Sequence, residues 1–183
     1  MKIKGAMTIA LLISGAAHAG AFSEVESNNS LATANSLGSF DQPGGSVLID
    51  ATLDSGDVDW FEFTLDSDAS LSIFAAFAFG DGADGILQIV AAGGDVLAFD
   101  DDSGVGLMPA LQLDSLSAGT YYIGFSGFGD VDDSSVGTDE LADGIGHQEN
   151  FAYKLSIGFS IVPAPGSMAL LGMGGLLATR RRR

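Results

Sequence analysis

Apolar residues in this chain come in short runs broken by Gly, Asp, Ser and Asn, and several of the runs alternate. In Asp59-Trp60-Phe61-Glu62-Phe63-Thr64-Leu65, the residues Phe61, Phe63 and Leu65 fall on one face while Glu62 and Thr64 fall on the other. That two-residue period marks a half-buried strand. Phe151, Tyr153, Leu155 and Ile157 repeat the pattern near the end of the chain. No long stretch carries a helical period. The runs predict strands over Ser46–Leu53, Asp59–Leu65, Ser70–Phe79, Ile86–Ala91, Asp95–Asp100, Ala110–Leu113, Gly119–Ser126 and Phe151–Ile161. Turn-forming residues separate them at Ser55-Gly56-Asp57, Asp81-Gly82, Gly93-Gly94-Asp95, Ser103-Gly104 and Ala118-Gly119. The expected fold is all-β: a single jelly-roll-like β-sandwich of about eight strands, with a barrel as the alternative. A length of 183 residues suits one such domain.

The two ends depart from this pattern. Lys2 and Lys4 precede a short Gly/Ala-rich apolar run, and Ala17-His18-Ala19 supplies a small-x-small site. Residues 1–19 therefore read as a secretory signal peptide cut by signal peptidase after Ala19, with a cut after Ala21 as the alternative. At the other end, residues 162–183 hold Val162-Pro163-Ala164-Pro165, an apolar stretch from Ser167 to Thr179, and Arg180 to Arg183. The stretch is well short of the ~20 apolar residues of a comfortable transmembrane helix. Its terminal arginines would hold it on the cytoplasmic side. It reads as a transient membrane stop, or alternatively as a tether that stays attached. The folded body is then 20–161.

Composition sharpens the picture. The formal net charge is −17, yet six of the seven basic residues lie in the two terminal segments. The body keeps 24 acidic residues against Lys154 alone, a net charge of −23. Nucleic-acid binding relies on Lys and Arg neutralising phosphate, so it is excluded. With 46% hydrophobic residues and twelve Phe, the body has ample material for a core. No cysteine is present, which removes disulfides, thiolate metal sites and thiol nucleophiles. What remains for this surface is cations, a basic partner or solubility.

The C-terminal arrangement resembles the PEP-CTERM sorting signal, with Ala164 standing where that family usually carries Glu. The resemblance implies recognition by an exosortase-type transpeptidase, removal of the tail, and delivery to the cell surface or exopolysaccharide matrix. The body resembles the bacterial pre-peptidase C-terminal domain in three blocks. These are Glu24-Val25-Glu26-Ser27-Asn28-Asn29-Ser30 with Ala32-Thr33-Ala34, Gly56-Asp57-Val58-Asp59-Trp60-Phe61, and Leu116-Ser117-Ala118-Gly119-Thr120-Tyr121-Tyr122-Ile123. This second resemblance implies a non-catalytic β-sandwich module related to collagen-binding modules.

Glu24, Glu26, Asn28 and Asn29 place hard oxygen donors close together before the first strong strand. Calcium takes six to eight oxygens at about 2.3–2.6 Å, and such segments supply them. The resemblance implies that Glu24, Glu26, Asn28 and Asn29 bind Ca2+, completed by Asp57 and Asp59. The alternative is a solvated linker and a turn whose carboxylates cap backbone amides. The Asp100–Gly104 stretch and the long acidic loop Asp130–Glu149 read as solvated connections. Catalysis is not expected: His147 is the sole histidine outside the signal peptide, and no nucleophile or zinc motif occurs. Trp60 has two readings, a sugar platform or sheet packing. The expected role is a secreted, calcium-assisted display or adhesion module, bridged to anionic exopolysaccharide by divalent cations. The alternative is a binding module for extracellular protein fibres or carbohydrate, accessory to secreted hydrolases.

Overall fold

The computed structural model describes residues 18–77, 82–130 and 140–162. Residues 1–17, Pro163-Ala164-Pro165 with the tail, Ala78 and Phe79 at the end of the expected third strand, and 131–139 of the acidic loop lie outside the described residues. The chain forms β1 (His18–Ser23), β2 (Asn35–Phe40), β3 (Gly44–Leu53), β4 (Val58–Leu65), β5 (Ala69–Phe77), β6 (Gly85–Ala91), β7 (Val96–Asp100), β8 (Ala110–Leu116), β9 (Gly119–Gly127) and β10 (Phe151–Ile161). They build two five-stranded sheets, ordered β1-β3-β10-β5-β8 and β2-β4-β9-β6-β7. Without β1 and β2, the remaining eight strands follow the jelly-roll order, β3-β10-β5-β8 against β4-β9-β6-β7.

The sandwich and all eight expected strands are present, and two more strands join them. Both additions are edge strands in parallel pairs, β1 with β3 and β2 with β4. β1 begins at His18, and the run Gly20–Ser23 lies beyond the expected Ala19 cut. Phe22 fixes it to the core by an edge contact with Phe61 at 6.3 Å between centroids.

Alternation decides what is buried. On β3 the inward set is Val47, Ile49, Ala51 and Leu53; on β10 it is Phe151, Tyr153, Leu155, Ile157 and Phe159. They meet Phe61, Phe63, Ile123, Phe125, Leu87 and Ile89 from the other sheet. Aromatic rings stack through this layer, Phe40 on Phe159 at 4.4 Å and Phe125 on Tyr153 at 4.0 Å.

β6 is buried on both faces from Gly85 to Val90, and β4 from Val58 to Phe61. A second cluster of Val58, Trp60, Ile86, Val90 and Ala142 occupies the outer side of that sheet, with Leu31, Ala34 and Leu141 packed against it. Two loops thus roof the sheet. Gln88, fully buried, donates to the Glu140 carbonyl at 2.9 Å and accepts from the Ala142 amide at 3.1 Å, pinning one roof in place. Trp60 is 1% exposed beneath that roof, which makes it packing and removes the sugar-platform reading. A Cβ on Gly124 would come within 2.6 Å of its ring, so only glycine leaves room there.

Candidate metal centre

The first residues after β1 form the site. Parallel pairing carries on past Ser23, with the Glu24 amide donating to the Asp50 carbonyl at 3.0 Å. The Thr52 amide then donates to Glu24 Oε2 at 3.0 Å. From there the chain crosses to the opposite sheet. Asn35 brackets Val25, accepting from its amide at 2.7 Å and donating to its carbonyl at 2.9 Å. Asn28 Nδ2 donates to Glu24 Oε1 at 3.0 Å, and the Asn28 carbonyl receives the Trp60 amide at 3.1 Å. Segment Glu24–Asn28 therefore straps the two sheets together at one end of the sandwich.

Asp59 comes up from below. The alternation that turns Phe61 inward turns Asp59 inward as well, and it is fully buried. Its Oδ2 accepts from the Tyr153 hydroxyl at 2.6 Å. Glu24, Glu26 and Asp59 each bring a carboxylate oxygen to within 4.8 Å of the others. Burial, followed by the neighbouring Glu24, pushes Asp59 up to about 10, with the Tyr153 hydrogen bond opposing. Burial and then Asp57 and Glu24 raise Glu26, and burial foremost raises Asp57. Tyr153, fully enclosed, is raised well above the usual phenol value by burial and by Asp59.

Positive charge is missing. Among the described residues Lys154 is the one Lys or Arg, and it pairs with Asp50 across β3 and β10. Two buried oxygens at the cluster, Asn28 Oδ1 and Asp59 Oδ1, accept no hydrogen bond; neutral Asp59 turns its proton toward Glu24, which leaves Asn28 Oδ1 as the orphan. Orphaned buried oxygens are rare because each costs about 1–3 kcal/mol. Three converging carboxyl groups and an orphaned amide oxygen, with no sulfur donor among them, suit a hard metal cation.

Of the residues expected from the sequence, Glu24, Glu26 and Asp59 converge, with Asn28 behind them. Asn29 and Asp57 lie alongside and bond each other. Asp57 Oδ1 also accepts the Val58 amide at 2.9 Å, so this carboxylate does cap its turn. Its carbonyl is held twice, by Ser126 Oγ at 3.1 Å and by His147 Nε2–H at 2.7 Å. Sequence reasoning missed Tyr153, Ser126 and the structural use of His147. His147 is a buried strut, 1% exposed. The Asp100 turn behaves as expected: its carboxylate takes the Ser103 and Ala110 amides at 3.0 and 2.8 Å. Among the described residues, no helix is long and apolar enough to cross a membrane.

No protein-family model and no curated protein sequence matches the chain. Solved structures do resemble it at low identity. The pre-peptidase C-terminal domain of a collagenase from Bacillus anthracis is 16% identical, with a TM-score of 0.44 over 68% of this chain and 93% of that one. A periplasmic inhibitor of g-type lysozyme from Aeromonas hydrophila is 11% identical, with a TM-score of 0.42 over 79% of this chain and 100% of that one. A surface-associated copper-binding protein from Methylomicrobium album is 12% identical, with a TM-score of 0.35 over 70% and 100%.

Proposed function

We propose that this chain is a non-catalytic, extracytoplasmic adhesion or display module whose strapped end is closed by a calcium ion. The observation that carries the reading is the trio Glu24, Glu26 and Asp59, assembled beside the orphaned buried Asn28 Oδ1 and, among the described residues, paired with no Lys or Arg. Glu24, Glu26, Asp59 and Asn28 would hold the ion, with Asn29 and Asp57 supporting the rim. Bound calcium would supply the charge that lets these carboxylates ionise together. The strap would then be tied to β4, making the loop end rigid enough to present a surface.

Around this sits the proposed life of the protein. Signal peptidase cuts after Ala19, and an exosortase-type transpeptidase reads Val162-Pro163-Ala164-Pro165, removes the tail and passes the body to the cell surface or exopolysaccharide matrix. There the acidic body, net −23 once both ends are gone, meets anionic polysaccharide through bridging divalent cations. Intact-mass measurement of the protein recovered from culture medium tests both cuts. Thermal unfolding tests the centre. Calcium at about 100-fold above its dissociation constant adds roughly 2.7 kcal/mol, several degrees in Tm for a domain of this size. The shift should vanish in the Glu24→Ala, Glu26→Ala double variant. An equal shift in wild type and variant would refute the site.

A further inference from the structure

The strapped end carries more than the metal cluster. Among the described residues, the exposed large apolar side chains include Val105 (82%), Leu107 (44%), Phe128 (56%) and Ile145 (72%). All four sit in loops at this one end, and the loops touch in sequence. Gly144 packs so closely on the β3–β4 turn that a Cβ there would lie 2.6 Å from the Gly56 carbonyl. Gly146 folds back in the same way on the start of its own β9–β10 connection, where a Cβ would lie 2.5 Å from the Gly129 carbonyl. Ile145 is thus held up between them. The Phe128 amide donates to the Asp84 carbonyl at 3.0 Å, and Asp84 bridges to Leu107. These backbone approaches, Gly56 with Gly144, Gly129 with Gly146, Phe128 with Asp84 and Asp84 with Leu107, set the apolar tips side by side as a ridge of neighbouring loops.

Carboxylates lie among these tips, and among the described residues none of them is paired with a Lys or Arg. Asp84, in the middle of the ridge, is pushed up to about 6 by burial and then by Asp102, Glu149 and Asp101 around it. Asp84 Oδ1 is buried and without a partner. Asp143 neighbours Ile145, holding its amide at 2.9 Å. Lys154, the one Lys or Arg of the described residues, is on the open face of the other sheet beside Asp50. Exposed apolar patches ringed by charge mark interaction surfaces. Here the sign of the ring chooses the partner, because an anionic lipid surface would be repelled and a basic chain attracted.

We infer that this ridge is a docking surface for a cationic polypeptide segment that interleaves Lys or Arg with large apolar side chains. Phe128 and Ile145 would supply the apolar anchors, and Asp84, Asp101, Asp102 and Glu149 the charge. The probe is a fluorescein-labelled synthetic peptide of alternating Leu and Lys, about 15 residues long, titrated by anisotropy against the calcium-loaded chain. Binding is expected to weaken steeply with salt and to fall at least tenfold in the Phe128→Ser, Ile145→Ser double variant. Phe74→Ser is the control, since Phe74 is also 56% exposed but lies on the outer face of the other sheet. It should bind as wild type does. Both variants change exposed side chains, and unchanged Tm values verify that they fold. The inference is overturned if Phe74→Ser loses as much, if the double variant binds normally, or if oligolysine binds as tightly as the Leu/Lys peptide. Preference for vesicles of phosphatidylserine, or self-association of the chain that the double variant abolishes, overturns it equally.

Discussion

Asp59 stores the site's chemistry as a misplaced proton. Its carboxyl is neutral in the metal-free fold up to about pH 10, whereas in the unfolded chain it ionises near the ordinary value of 3.8. A folded pKa above the unfolded one means that stability is fully present below about pH 4 and is lost as pH rises toward 10. The metal-free chain should therefore lose Tm steadily between about pH 5 and pH 8, where most acidic proteins plateau. Calcium should reverse this, because the ion takes the place of the proton. Its binding at neutral pH should release close to one proton, read by calorimetry in buffers of different ionisation enthalpy. Asp59→Asn removes the titrating group while leaving an oxygen for the Tyr153 hydroxyl. It should flatten the metal-free profile and abolish both the calcium shift and the proton release. A steep profile in Asp59→Asn would assign the titration to Glu26 or Asp57 instead.

Among the elements, legibility followed local pattern. Alternation, or for β6 a continuous apolar run, together with the turn residues was enough for β3 through β10, because each of those strands carries its own apolar residues. β2 could not be read that way: Asn35-Ser36-Leu37-Gly38-Ser39-Phe40 is mostly polar, and Gly38 sits at φ +81° where the pairing shifts register. β1 lay inside a stretch whose small residues also suit a cleavage site. The carboxylates of the site were legible as hard donors clustered in the sequence. Tyr153 was not, since alternation turns it inward without saying that Asp59, 94 residues earlier, waits for its hydroxyl. The roof over Trp60 was equally hidden, although a polar residue inside the apolar run of β6 was its signal. That residue makes a test. Gln88→Leu leaves the Glu140 carbonyl and the Ala142 amide without partners, at about 1–3 kcal/mol each. The roof should loosen, lowering Tm and shifting the emission of Trp60 to the red. Since Trp60 is the sole tryptophan, the spectrum reports this one place. Lower Tm with unshifted emission would mean that the roof stays shut without Gln88.

At the scale of the whole molecule, a body with 24 acids against one lysine repels itself. Two different effects of cations follow from that, and they separate by salt. Screening acts on every exposed carboxylate and saturates as the Debye length falls to about 3 Å at 1 M salt. A site that desolvates its ion between Glu24, Glu26 and Asp59 is screened far less. Sodium chloride alone should therefore raise the Tm of the chelator-treated chain and then level off near 1 M. Millimolar calcium added at that plateau should still raise it by several degrees, and the Glu24→Ala, Glu26→Ala variant should keep the sodium response while losing the calcium increment. Bridging to anionic polysaccharide belongs to the screened class and should fail in high salt even with the site filled. If calcium adds nothing at the sodium plateau, the ion acts only as counter-charge, and Asp59 keeps its proton at neutral pH whether calcium is present or not.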